Sequence, residues 1–325
     1  MSLTASFPRL LGDVGGTNAR FGWQKNASSA IEDIHVLPCA EYATIADAIR
    51  AYLTKAGQPM PAAAAIGIAN PVTGDQVRMT NHHWRFSIQA LQKELGLVQL
   101  KVINDFTALA LSLPDIPAEH LIQICGSSAV EQSPVALIGA GTGLGVSGLI
   151  PAGPAGQWLP IAGEGGHITL AAHSMTEYRL IELIRQRYGH VSAERVLSGQ
   201  GLVDLYMALR HLQGQPALEV TSAAEVSTRA LNEQDTIALE AMDLFAGWLG
   251  SVAGDLVLTL GARGGVYLGG GIVPRWLGWF EHSAFKTRFT AKGRFASYLQ
   301  DVPVWVIHAP DSPALWGAAR ALSLG

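Results

Sequence analysis

The segment Gly12-Asp13-Val14-Gly15-Gly16-Thr17-Asn18 follows a short apolar run from Arg9, and apolar character resumes from Phe21 to Trp23. Strand, glycine turn and strand predict a β-hairpin. Glycines lack a Cβ, so backbone N–H groups there can approach phosphate oxygens, and Thr17 adds a hydroxyl donor. Asp13 then stands close enough to bound phosphates to serve a Mg2+ ion through water, since that ion prefers oxygen ligands and keeps part of its water shell. The plainer alternative is a glycine hairpin with a surface aspartate. The segment is neither GxxxxGK(S/T) nor a strand-to-helix GxGxxG, so it supports neither a P-loop nor a Rossmann site.

Working outward, strand and glycine turn recur at Val135 to Ile138 with Gly139-Ala140-Gly141-Thr142-Gly143, and again near residue 268 before Gly269-Gly270-Gly271. The recurrence points to two related α/β halves, although no sequence repeat proves it. Taken alone, the second glycine run reads equally as a tight hairpin or as a phosphate loop. Helical apolar spacing predicts helices over Thr44 to Ala56 and Ser87 to Leu95, with a buried strand over Ala62 to Ala69. Pro114 and Pro117 mark a boundary. Beyond it, Ser174-x-x-Glu177 and Ser222-x-x-Glu225 are capping boxes, Asp235 to Leu260 is a long helix or a helix pair, Val304 to Ile307 is a strand, and Pro313 to Leu322 is a final helix.

Two further segments carry chemistry. Leu97 to Ile103 predicts a strand that runs directly into Asn104-Asp105. Phosphoryl transfer to an alcohol needs a carboxylate to orient the hydroxyl and accept its proton, which makes Asp105 the candidate base. Asn104 can both donate to and accept from a neighbouring sugar hydroxyl; an Asx turn capping the next helix is the bland alternative. Glu164 and His167, in the glycine-rich run Ala162 to His167, suit the vicinal hydroxyls of a sugar.

Composition sets the frame. At 325 residues, 49% hydrophobic and 15% charged, the chain is long enough for about two domains and apolar enough for sizeable cores. Its net charge of −4 comes with scattered Lys and Arg, which argues against a nucleic-acid or anionic-membrane surface. Cys39 and Cys125, far apart, form neither a disulfide framework nor metal spacing, so a reducing, cytoplasmic setting is expected. Met1 to Arg9 lacks the features of a secretory signal. The apolar stretch Leu244 to Val273 carries Asp255 and Arg263, which predicts a soluble helix and strand in preference to a lipid span.

In order along the chain, Gly12 to Arg20, Asn104-Asp105-Phe106-Thr107-Ala108, Glu164-Gly165-Gly166-His167 and His190 to Gly199 are similar to segments of the bacterial glucokinase family. Asn70-Pro71-Val72, Met79-Thr80-Asn81 and Trp84 resemble it too. The resemblance implies an α/β, two-domain actin-like ATPase fold of the hexokinase type, with a ligand cleft between domains. Residues 1–115 with 306–325 would form a small α/β domain, and 116–305 a large α+β domain. It implies ATP-dependent phosphorylation of D-glucose at the 6-hydroxyl, the first step of glucose use in glycolysis, with ATP and Mg2+ as cofactors.

By the same resemblance Asp105 is the catalytic base, and Asn104, Glu164, His167 and Glu194 hold glucose. Read from the residues alone, Glu194 is a helix-surface position. ATP contacts fall on Gly12, Asp13, Val14, Gly15, Gly16, Thr17, Gly141, Thr142, Gly143 and Gly270, with Asp13 reaching the metal through water. A homodimer is expected, and no nucleic-acid or membrane partner. The related repressor and open-reading-frame kinase family carries cysteines for zinc after its sugar-binding histidine, and this chain lacks them. Kinases of fructose, mannose or N-acetylated hexoses share the pattern, and a sugar-sensing regulator is the alternative from another class. At an ordinary carboxylate pKa near ~4, Asp105 is a weak base whose main work is orientation.

Overall fold

The Gly12–Asn18 segment is the turn of a hairpin, in a computed structural model that describes residues 6–153, 157–216, 218–309 and 312–324. The chain forms two units. The first comprises Met1–Ala118, Trp158–Ala162 and Ala309–Gly325, and the second comprises Glu119–Gln157 and Gly163–His308.

Along the chain, unit 1 runs β1 (Arg9–Val14), β2 (Asn18–Gln24), β3 (Glu32–Pro38), α1 (Ile45–Ala56), β4 (Ala63–Ile68), β5 (Gln76–Arg78), β6 (Arg85–Ser87), α2 (Ile88–Glu94), β7 (Gln99–Asn104) and α3 (Asp105–Ser112). Its main sheet has the order β3-β2-β1-β4-β7. β1 and β2 are antiparallel, whereas β4 lies parallel to both β1 and β7. All six residues of β4 are buried, which is why its sequence AAAIGI reads as a continuous small apolar run and does not alternate. α1 starts at the expected cap: Thr44 Oγ1 accepts from Asp47 N while the Asp47 carboxylate accepts from Thr44 N. Its apolar residues Ile45, Ala48, Ile49, Tyr52 and Leu53 are all buried.

The C-terminal helix Ala314–Ala321 packs against α3. The close approach is possible because residue 317 is glycine, where a methyl group would overlap the Ala108 carbonyl oxygen. Gly67 on β4 gives α3 similar room, since a Cβ there would stand 3.0 Å from the Ala108 Cβ. The helix that begins with Asp105 is thus seated tightly between strand and helix.

Unit 2 contains β8 (Leu121–Cys125), β9 (Val135–Ala140), β10 (Leu144–Pro151), α4 (Met175–Tyr188), α5 (Gly199–Leu212), α6 (Ala223–Leu231) and α7 (Thr236–Leu260), followed by strands Val266–Gly269 and Val304–Ile307. β9 and β10 form an antiparallel hairpin, and β9 runs parallel to Val266–Gly269. This repeats the relation of β1 to β2 and β4, so the recurrence seen in sequence has a topological counterpart. The third glycine run differs: after Gly269 the chain enters a 3-10 turn at Val273–Trp276 and no return strand follows.

α7 is a single helix of 25 residues, capped by the Asp235 carboxylate on Ile237 N and Ala238 N and ended by Gly261 in the left-handed region. It is long and apolar enough to cross a membrane, but 67% of its most apolar window is buried inside the protein. Its composition is that of a core helix.

Candidate active site

In unit 1, Asp13 sits near the end of β1, paired in register with Arg20. It is not a bare surface acid. Asp13 Oδ2 faces Arg20 Nη1 at 3.3 Å and accepts a hydrogen bond of 2.6 Å from Ser312 Oγ. Its Oδ1 has no partner among the described residues. Gly12 and Val14 are buried in the sheet, and a Cβ on Gly12 would stand 3.2 Å from Ile66 and Phe21. Gly15, Gly16 and Thr17 form the accessible turn, closed by Gly15 N to Asn18 O at 2.9 Å. At Gly16 a Cβ would stand 3.0 Å from the Cβ and carbonyl oxygen of Asn81, so the 79–84 loop abuts the turn.

β7 passes into α3 without a connecting loop because Asn104 caps the helix, its Oδ1 accepting from Phe106 N and Thr107 N at 3.0 and 3.1 Å. The Asx-turn reading therefore holds. Asn104 Nδ2 donates to Asp105 Oδ1 at 3.0 Å, and Phe106 N donates to the same oxygen at 2.9 Å. Asp105 Oδ2 has no partner among the described residues.

Asp105 departs from the ordinary carboxylate expected for it. Its pKa is pushed up to about 6, chiefly by burial, with the negative charge of Asp13 acting in the same direction. Opposing this are the donated hydrogen bonds from Phe106 N and Asn104 and the positive end of α3. Desolvation of the charged form wins.

In unit 2, the turn between β9 and β10 is Gly141-Thr142-Gly143, closed by Gly141 N to Gly143 O at 2.8 Å. The start of α5 rests on it through Gly199 N to Gly141 O at 2.8 Å. Glu194 lies in a 3-10 turn, Ala193–Arg195, and not on a helix surface. Its Oε2 accepts from Leu144 N at 2.9 Å and occupies the space a Gly143 side chain would need. Its Oε1 is 4.0 Å from His167 Nδ1. Glu164 immediately precedes the 3-10 turn Gly165–His167 and its carbonyl accepts from His167 N at 3.0 Å. Glu164 and His167 are exposed, and Glu194 is about one-third exposed. The structure thus brings the unit 2 candidates together around the second glycine turn.

The glycines separate into two kinds. Gly270 has φ 78° and a methyl group there would collide with the Ala140 carbonyl, so it is required by the fold. Gly141 and Gly271 have nothing within 4 Å of a Cβ position, so packing does not require glycine at either. Beside Gly271 lies a pocket of about 250 Å3 whose lining includes Ser227, Thr228, Ile272, Arg275 and Trp276. No sequence signal marks these residues, nor Ser312, which meets Asp13 from 299 positions away. Among the described residues no three or more His, Cys, Asp or Glu gather as a metal site.

A family model described as glucokinase matches residues 10–324. The chain is 52% identical over 318 residues to a glucokinase of Aromatoleum aromaticum, covering 98% of this chain and 95% of that one. It is 51% identical over 321 residues to a glucokinase of Chromobacterium violaceum, covering 99% and 91%. Among solved structures, a glucokinase from an Antarctic psychrotroph superposes with a TM-score of 0.88 at 36% identity, covering 98% of this chain and 99% of that one.

Proposed function

This chain belongs to the glucokinase family, and from that premise we propose that it transfers the γ-phosphoryl group of ATP to the 6-hydroxyl of D-glucose, releasing glucose 6-phosphate and ADP. The observation that carries the reading is Asp105: a carboxylate at a strand-to-helix junction, one oxygen fixed by two donors, the other open, and a pKa near 6. Such transfer asks little covalent chemistry of the protein beyond orientation, charge neutralisation and a proton acceptor. As the bond from O6 to phosphorus forms and the bond to the ADP oxygen breaks, the hydroxyl proton passes to Asp105 Oδ2. A carboxylate with a pKa near 6 is still mostly ionised at pH 7 and a stronger base than an ordinary aspartate.

Asn104, Glu164, His167 and Glu194 hold the sugar in this reading. Asn104 offers its second Nδ2 hydrogen, and Glu194 its Oε1. The accessible turn Gly15-Gly16-Thr17, with the backbone of Gly12, Asp13 and Val14 behind it, and the second turn Gly141-Thr142-Gly143 take the phosphates. Gly270, Gly271 and the pocket beside them take the adenosine. Mg2+ would be held through water by the open Asp13 Oδ1, and it would neutralise charge on the phosphates. The two units act as the small and large domains of the kinase.

A coupled ADP-release assay across glucose, mannose, fructose and N-acetylglucosamine tests the assignment. The highest kcat/KM is expected with glucose. Preference for another hexose moves the substrate, and no hexose-dependent ADP release refutes the kinase.

A further inference from the structure

Unit 1 has a cavity of about 1050 Å3 outside every residue assigned above, and its lining includes Thr44, Arg78, Thr80, His83, Arg85 and Glu94. Its floor is the small hairpin β5–β6. In that hairpin Arg78 and Arg85 are direct cross-strand partners, so their side chains leave the same face, and like charges placed so are destabilising. The two strands have three residues each and are anchored on the opposite side by Val77, Met79 and Trp84 in the unit 1 core, so the arginine pair is a local cost that the core outweighs. Neither guanidinium has a hydrogen-bond or ion-pair partner among the described residues. The one acid in the lining, Glu94, is already held by Arg50 at 2.7 Å.

Of the other polar groups in the lining, Thr80 Oγ1 is engaged with Asn70 Oδ1, His83 Nε2 with Ala43 O and Thr44 with Asp47, whereas His82, which also lines the cavity, uses Nδ1 for Trp84 N and has a buried Nε2 with no partner among the described residues. What the cavity offers a ligand is therefore a pair of unpaired guanidinium forks, with His82 Nε2 beside them, on a chain whose net charge is −4. Two forks side by side match the oxygens of a phosphate group, which each can grip in a bidentate way.

We propose that this cavity is a second anion site, which binds a phosphate group through Arg78 and Arg85, apart from the glycine turns. An anion there converts a repulsive cross-strand pair into a bridged one. The hairpin's own loop, through Asn81, lies against Gly16 of the first glycine turn, so an occupant is well placed to bear on that turn. Inorganic phosphate and a sugar phosphate share the required chemistry. The inference does not depend on which sugar the enzyme phosphorylates.

The test is titration calorimetry of inorganic phosphate, and separately of glucose 6-phosphate, into wild type and R78Q/R85Q, with the glycine turns filled by a non-hydrolysable ATP analogue. Wild type is expected to bind at least one of the two, and the variant at least about tenfold more weakly. Binding of phosphate alone assigns recognition to the phosphate group. Binding of glucose 6-phosphate only means that the sugar contributes. No binding of either, or equal binding to both proteins, overturns the proposal. Thermal unfolding gives an independent sign: in a phosphate-free, low-salt buffer R78Q should melt above wild type, and phosphate should reverse that order. The same phosphate-induced rise in both proteins would count against the site.

Discussion

Asp105 joins two demands that conflict. The position that would make it a usable base in the proposed reaction also makes its charged form costly, because burial outweighs the two donated hydrogen bonds. A folded pKa raised to about 6 from the ordinary aspartate value near ~4 means that the associated stability is present below the unfolded pKa and is lost as pH rises through about 6. Asp105→Asn keeps an acceptor for Phe106 N and removes the charge. It should therefore melt above wild type at pH 8, by on the order of 2 to 3 kcal/mol at most, and the gap should close at pH 4. A gap that widens on acidification would contradict the sign. The glycines give a second contrast. Gly141→Ala adds a methyl into open space, so the melting temperature should hold while KM for ATP rises at least about tenfold if phosphate comes close there. Gly270→Ala should instead lower stability by about 1 to 3 kcal/mol or more. A normal KM in Gly141→Ala would remove that turn from the nucleotide site. Asp105 was legible as a strand-end acid, but its proton affinity was not, since it depends on a solvent exclusion that only packing creates.

Among the elements, the 3-10 turn carrying Glu194 links sugar-binding candidates to the β9–β10 turn. Oε2 is committed to Leu144 N, while Oε1 remains for a ligand or for His167. Glu194→Gln preserves an acceptor for Leu144 N and should leave the affinity for ADP without sugar near normal, whereas Glu194→Ala should weaken it severalfold. Equal ADP affinity in both variants would limit Glu194 to sugar contact. Sequence reading placed Glu194 on a helix surface, because short 3-10 turns have no periodic signature of their own. The Ser174-x-x-Glu177 signature marked the start of α4 correctly, yet it hid the acid's other partner. Glu177 accepts from His173 N and is 2% exposed in an ion pair with Arg288, more than a hundred positions along the chain. Local patterns announce caps; they do not announce long-range partners. α7 shows the same limit, since apolar composition alone left open one helix or two.

Across the whole molecule, the class of fold was legible because the two glycine turns sit on strands of matching topology, β1 with β2 and β9 with β10. The third glycine run broke the pattern because the chain turns into the 3-10 turn Val273–Trp276 after Gly271, and the next strand, Val304–Ile307, pairs parallel with Val266–Gly269. The return of the C-terminal segment to unit 1, which delivers Ser312 to Asp13 and Gly317 to Ala108, could not be read from spacing. Residues that meet across such separations leave no local trace. What motif order did supply was the family, and with it a candidate role for each residue. The most direct test of the account is Asp105→Ala, with glucose binding followed by calorimetry and turnover by ADP release. Glucose affinity is expected within about tenfold of wild type, with turnover lowered by about 10²-fold or more. Near-normal turnover in that variant would contradict it.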